Sequence, residues 1–190
     1  MRLNLLQSGL RCISEYGFEG LTLEKVGKIA KSNKGLLIHY FSSKEKFLDE
    51  LLIYVGFVGR SHTIQFIEEN EAKLTDPVER YIRATLDLAR KLPDMNSFLI
   101  LAIQRATYDT RFRKWINTTF GIAYERIQNF LESHYGVPSD RSAQIAKQIH
   151  SMLLGHMLAR EVMDVTEDFE QLCVSAGYEL LKQFHPGHPK

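Results

Sequence analysis

The feature that most constrains this chain is a helical spacing of apolar side chains that recurs along nearly its whole length. The first stripe is formed by Leu3, Leu6, Leu10 and Ile13, which share one face of a helix and are followed by Gly17. No run alternates apolar and polar residues as a half-buried strand does, and the Asn-Gly and Asp-Gly pairs typical of hairpins are absent. The sequence therefore predicts an all-α fold.

Start and stop residues divide this pattern into about nine helices. Thr22 and Asn33 are placed to cap two short helices, and Ser42-Ser43 precede a long fourth helix with Phe47 turned inward. Five more helices are predicted over 76–91, 95–107, 110–134, 139–162 and 166–184. Their start residues are Asp76, Asp94 or Asn96, Asp109, Ser139 and Thr166. We expect the tail, 185–190, to be flexible.

The composition is that of an ordinary globular protein, and the absence of catalytic motifs argues against an enzyme. The 190 residues are 44% hydrophobic and 25% charged, and no segment has the apolar length of a membrane span. Cys12 and Cys173 lie far apart in apolar helical patterns, so both are predicted to be buried and unpaired. No phosphate loop, hydrolase motif or zinc motif occurs, so neither a catalytic residue, a metal nor a cofactor is expected. A cytoplasmic location is predicted.

The first fifty residues have the pattern of a helix-turn-helix. Two short helices joined by a tight turn follow a first helix, an arrangement that places the second short helix in the major groove of DNA. Residues 1–48 carry eight basic and four acidic side chains, a net charge of +4, whereas the remainder has −3. This asymmetry favours a polyanionic partner for the first part.

The same residues resemble the DNA-binding signature of the TetR (tetracycline-repressor) family of transcriptional regulators over about 3–55. The elements in register are Gly17-Phe18, Thr22, Ile29-Ala30, Lys34-Gly35, His39-Tyr40-Phe41 and Ser43-Lys44-Glu45. The resemblance implies that Thr22 caps the second helix and touches a phosphate, and that Tyr40 and Lys44 contact the DNA backbone. It further implies that the groove is met by Asn33, Lys34, Gly35, Leu36, Ile38 and His39, and that Leu37 and Phe41 point inward.

Three departures from the family pattern involve the turn residues Lys31-Ser32, Leu36 and Ile38. Lys31-Ser32 stand where the family usually has a glycine with positive φ and an apolar residue. If Lys31 adopts that left-handed conformation, it costs roughly 1 kcal/mol. Leu36 and Ile38 replace residues that are more often Thr and Tyr, and aliphatic side chains can contact thymine methyl groups but cannot donate hydrogen bonds. The alternative function is therefore a helical ligand-binding or interaction protein with weakened DNA binding.

The resemblance implies a DNA-binding domain over 1–48 and a ligand-binding and dimerisation domain over 49–184, with a repressor released from a palindromic operator by a small-molecule effector. Residues that could contact the effector are Phe98, Tyr108, Phe112, Trp115, Phe120, Tyr124 and His150, although ordinary core packing explains most of them equally well.

A stripe of small residues, Ser151, Gly155 and Ala159, favours a homodimer seam on the helix at 139–162, flanked by Ile145, Ile149, Met152 and His156. The alternative is that the stripe packs within the chain against Leu172, Ala176 and Leu180.

Overall fold

The computed structural model describes residues 1–163 and 167–182, and these residues form nine α-helices and no strand. The helices are α1 (Arg2–Gly20), α2 (Leu23–Ile29), α3 (Lys34–Phe41), α4 (Lys44–Asn70), α5 (Pro77–Lys91), α6 (Pro93–Ala106), α7 (Thr110–Tyr135), α8 (Ser139–Val162) and α9 (Glu167–Lys182). The all-α prediction is confirmed. The expected break around Asp164, the start at Thr166 and the tail 185–190 lie outside the described residues.

The chain divides into two units. The N-terminal unit comprises Met1–Arg60 and Leu92–Trp115, so it contains α1 to α3, most of α4, all of α6 and the start of α7. The C-terminal unit comprises Ser61–Lys91 and residues from Ile116 onward. The functional boundaries of 1–48, 49–184 and 185–190 stay predictions.

Two helix ends differ from their predicted positions. The regular part of α1 breaks at Gly17, whose φ of 67° and ψ of 175° suit glycine, and one further turn reaches Gly20. The start of α6 was predicted at 95 behind a cap from Asp94 or Asn96, and this is wrong. The helix begins at Pro93, with Leu92 as an N-cap that makes no side-chain bond, because proline at the first helical position needs no N–H partner.

The C-terminal unit has one apolar core built from α5, α7, α8 and α9. Asp76 caps α5 as predicted, since its Oδ1 accepts from the N–H groups of Val78 and Glu79 at 2.9 and 2.8 Å. The core side chains include Ile82, Leu86, Ile127, Leu131, Ile149, Leu153, Val174 and Leu181. Both cysteines are buried and unpaired, as predicted. Within the described residues, no helix is long and apolar enough to cross a membrane.

Candidate nucleic-acid interface

The turn between α2 and α3 is closed by two backbone hydrogen bonds of the Schellman type. Lys31 N–H donates to the Lys28 carbonyl at 3.1 Å, and Ser32 N–H donates to the Gly27 carbonyl at 2.7 Å. This geometry requires a left-handed residue, and Lys31 supplies it with a φ of 53°. The turn therefore has the shape that a glycine would give, made here by a lysine at an energetic cost.

Side-chain caps determine where the two short helices begin. Thr22 Oγ1 accepts from Lys25 N–H at 3.1 Å, and Asn33 Oδ1 accepts from Leu36 N–H at 2.9 Å. Both predicted caps are confirmed. Gly27 allows the turn to approach α2 closely, because a Cβ at this position would lie 3.2 Å from the Ser32 carbonyl oxygen.

α3 has one buried face and one open face. Leu37 and Phe41 are 0% and 2% exposed, as predicted, whereas Ile38 is 45% exposed. The side chains on the open face are exposed except for the half-buried Leu36, and this face presents Lys34, Gly35, Ile38, His39 and Tyr40. It therefore offers one lysine, one histidine, one phenol and two aliphatic side chains to a partner.

The start of α4 is joined to the end of α3 by packing and by a cap. The rings of Phe41 and Phe47 meet edge to face at 4.9 Å, and Gly9 of α1 lies against Phe47 where no Cβ would fit. Ser43 Oγ accepts from Lys46 N–H at 3.2 Å. The adjoining Glu45 has a lowered pKa because its carboxylate accepts first from its own backbone N–H and then from the Ser43 hydroxyl. This helix start therefore already stabilises one negative charge.

Charges on this surface are partly paired within the unit. Lys34 Nζ lies 3.3 Å from Glu24 Oε1, and both side chains are more than half exposed. Lys25 Nζ lies 4.5 Å above the ring of Tyr16. The Lys34–Glu24 pair crosses the turn, so the helical spacing of charges in the sequence did not reveal it.

Residues 5–51 match the family model described as bacterial regulatory proteins, tetR family. This segment is therefore similar to the DNA-binding region of TetR-family regulators. The chain is 38% identical over 56 residues to the transcriptional repressor NicS of Pseudomonas putida, covering 28% of this chain and 26% of NicS. It is 29% identical over 89 residues to the transcriptional regulator RutR of Escherichia coli K12, covering 47% of this chain and 41% of RutR.

The similarity of fold extends over the whole chain. A transcriptional regulator from Rhodococcus sp. Rha1 superposes with a TM-score of 0.80 at 14% identity, covering 99% of both chains. At that identity the likeness concerns the fold alone. The sequence matches span about a quarter of NicS and about two fifths of RutR.

The predicted DNA-contacting residues lie at the starts of α2, α3 and α4 and along the open face of α3. Thr22 and Asn33 are exposed caps at the starts of α2 and α3, and Lys34 to Tyr40 supply the open face of α3. Lys44 is half-buried at the first position of α4. Their contacts with DNA stay predictions.

The aromatic residues predicted to meet an effector fall into two sets. Phe98, Phe112 and Trp115 belong to the N-terminal unit, and Phe98 and Phe112 are fully buried there. Their ring centroids with Phe18 of α1 are 5.3 and 4.7 Å apart. Tyr108 is 68% exposed. An effector role for these four residues stays a prediction, while the packing of Phe98 and Phe112 supports α1.

The second set surrounds a buried histidine in the C-terminal unit. The ring of His150 lies 4.6 Å from that of Phe120 and 4.9 Å from that of Tyr124. Its Nδ1 is buried and has no hydrogen-bond partner among the described residues. Burial lowers the pKa of His150 to about 4, so the ring is neutral at pH 7.

The predicted seam on α8 has one open edge. Ser151 and Gly155 are exposed, and no atom lies within 4 Å of a Cβ built at Gly155. Leu172 of α9 is 61% exposed, so the alternative in which it covers the stripe within the chain is not what the structure has. Ile145, Ile149 and His156 were expected beside the seam, but they are 4%, 0% and 1% exposed and lie inside the unit.

Proposed function

We propose that this protein is a DNA-binding transcriptional regulator, a repressor that a small-molecule effector releases from a palindromic operator. The observation that carries the proposal is the open face of α3. It begins at a capped helix start and is held by the buried Leu37 and Phe41. A helix presented in this way can enter the major groove with its first residues against base edges.

Fluorescence anisotropy with the DNA upstream of its own gene tests the DNA assignment. Lys44→Ala should weaken binding to every sequence and flatten its salt dependence, because a phosphate contact is lost. Lys34→Ala should also change sequence preference, because this side chain is expected at base edges. Lys114→Ala is a matched control, since Lys114 is exposed on α7 outside the helix-turn-helix. Unchanged affinity in both test variants at physiological salt would refute the DNA-binding role.

A homodimer follows from the need to place two recognition helices on successive major grooves. The open stripe at Ser151 and Gly155 supports it, together with the exposed apolar side chains Leu158, Val162 and Leu172. Gly155→Arg should convert the protein to a monomer in light scattering at micromolar concentration. Wild-type protein that is already monomeric there would remove the dimer from the proposal.

The effector is proposed to bind in the C-terminal unit, near Phe120, Tyr124 and His150. A neutral histidine between two rings offers a hydrogen bond to a flat molecule, the usual mix of apolar walls and few polar groups in a small-molecule site. The alternative function, a helical binding protein with weakened DNA binding, is distinguished by the same anisotropy assay. It predicts no operator preference above non-specific binding.

A further inference from the structure

Arg80 of α5 is a buried cation with unmet hydrogen-bonding capacity. Its residue exposure is 7%, and both Nε and Nη1 are buried with no hydrogen-bond acceptor among residues 1–163 and 167–182. A guanidinium is charged at every physiological pH, so burial cannot neutralise it as it neutralises a histidine. Such a group needs acceptor oxygens close to it.

Within the part of the chain that the structure describes, Glu71 is the acid paired with Arg80, and their contact is imperfect. Glu71 Oε1 lies 3.2 Å from Arg80 Nη1, but the contact lies off the direction of the N–H bonds and is not a hydrogen bond. The Glu71 side chain is 75% exposed, whereas that of Arg80 is 8% exposed. Glu71 can therefore turn into water without disturbing the core, and Arg80 cannot follow it.

The other carboxylates along α5 already have partners. Glu79 accepts from Arg83 Nε at 2.7 Å and from the Tyr178 hydroxyl. Asp76 accepts hydrogen bonds from the Tyr135 hydroxyl and from the N–H groups of Val78 and Glu79. Asp87 is paired with His62, Arg90 and Lys91. Arg80 differs in this respect from Arg83 and Arg90 on the same helix, both of which are hydrogen-bonded to acids.

We propose that Arg80 binds the carboxylate of a small molecule, and that Glu71 competes for the same guanidinium. A carboxylate fits because the acid beside Arg80 is itself a carboxylate, and because guanidinium groups pair well with carboxylate oxygens. This site is proposed in addition to the effector position near His150, and it stands on its own geometry.

The test measures binding to the full chain without DNA, by calorimetry at constant ionic strength. The probes are acetate, benzoate and octanoate, each compared with its neutral amide. Wild-type protein should bind at least one carboxylate at least tenfold more tightly than the matching amide. Arg80→Met should abolish that preference, and Glu71→Gln should raise carboxylate affinity at least threefold. Arg83→Met, on the same helix, should leave it unchanged.

Each outcome bears on the site. No carboxylate preference in the wild type, or an unchanged preference in Arg80→Met, would overturn it. Equal affinities in Glu71→Gln and the wild type would make Arg80–Glu71 a plain ion pair and overturn the competition. If Arg80→Met does not fold, Arg80→Lys replaces it and should lose at least threefold in carboxylate affinity, since the Nε donor is gone. A carboxylate-binding protein that ignores operator DNA would refute the regulator and leave this site standing.

Discussion

Replacing Lys31 by glycine should stabilise the protein. Lys31 ends α2 with a φ of 53°, a conformation that costs a residue with a Cβ about 1–2 kcal/mol. Glycine removes this cost but loses about 0.5–1 kcal/mol more conformational entropy on folding. Taken at their midpoints, the two terms leave a net gain of about 0.8 kcal/mol, which is a rise in melting temperature of about 2–3 °C for a chain of this length.

The assay is urea unfolding of three variants. Lys28→Gly, three residues earlier inside α2, also removes one lysine but should destabilise by about 1 kcal/mol, because its backbone is helical. Lys31→Ala keeps the left-handed strain and serves as the second control. A Lys31→Gly protein no more stable than Lys31→Ala would refute the reasoning that this turn is strained.

Three further predictions follow from named contacts. Glu24→Gln should raise DNA affinity roughly threefold in anisotropy titrations, because it removes the negative charge beside Lys34. This magnitude assumes that the Glu24 carboxylate would lie ~8 Å from a DNA phosphate. Unchanged affinity would place Lys34 away from the DNA. Lowering the pH from 6.5 to 4 should destabilise the protein, and His150 should contribute up to about 3 kcal/mol of this loss. In the unfolded chain the His150 ring is protonated below pH 6.5, whereas the buried ring, with its pKa of about 4, stays neutral. His150→Leu should flatten this part of the urea-midpoint profile, and an identical profile would show that other groups cause it. If Gly56 and Gly59 make α4 pliable, the double variant Gly56→Ala/Gly59→Ala should remain folded, and the effector should have less influence on DNA binding. The structure has room for the change at Gly56, because within 4 Å a Cβ there would meet only Trp115 Nε1, at 3.8 Å. Loss of stability with coupling intact in paired calorimetry and anisotropy would contradict it.

Features set by neighbours along the chain could be predicted from sequence. The caps Thr22, Asn33 and Asp76 each bond a backbone N–H two or three residues away, so residue type and spacing sufficed. The sequence raised a left-handed Lys31 as one possible shape of the turn. The two hydrogen bonds that close the turn explain why Lys31 adopts this conformation. The start of α6 was predicted wrongly because Asp94 and Asn96 resemble N-caps, whereas the helix begins with proline at its first position, Pro93.

Features set by contacts distant in sequence could not be predicted. The helical spacing of Phe98 and Phe112 is the same whether a face meets a ligand or another helix, and only the structure places them against Phe18. The Lys34–Glu24 pair depends on the angle of the turn. Arg80 was not singled out at all, since an arginine on a helix is usually exposed; its place between the buried Tyr81 and Val78 was the available signal.

The central claim is that the α2–α3 surface recognises a specific duplex. The most direct test is to select binding sequences from a random DNA pool and to titrate the best of them against scrambled DNA at physiological salt. We expect enrichment of a palindrome that the wild type binds at least a thousandfold more tightly than scrambled DNA, and we expect Lys34→Ala to reduce this preference. Selection that enriches no sequence, with equal affinity for selected and scrambled duplexes, would contradict it.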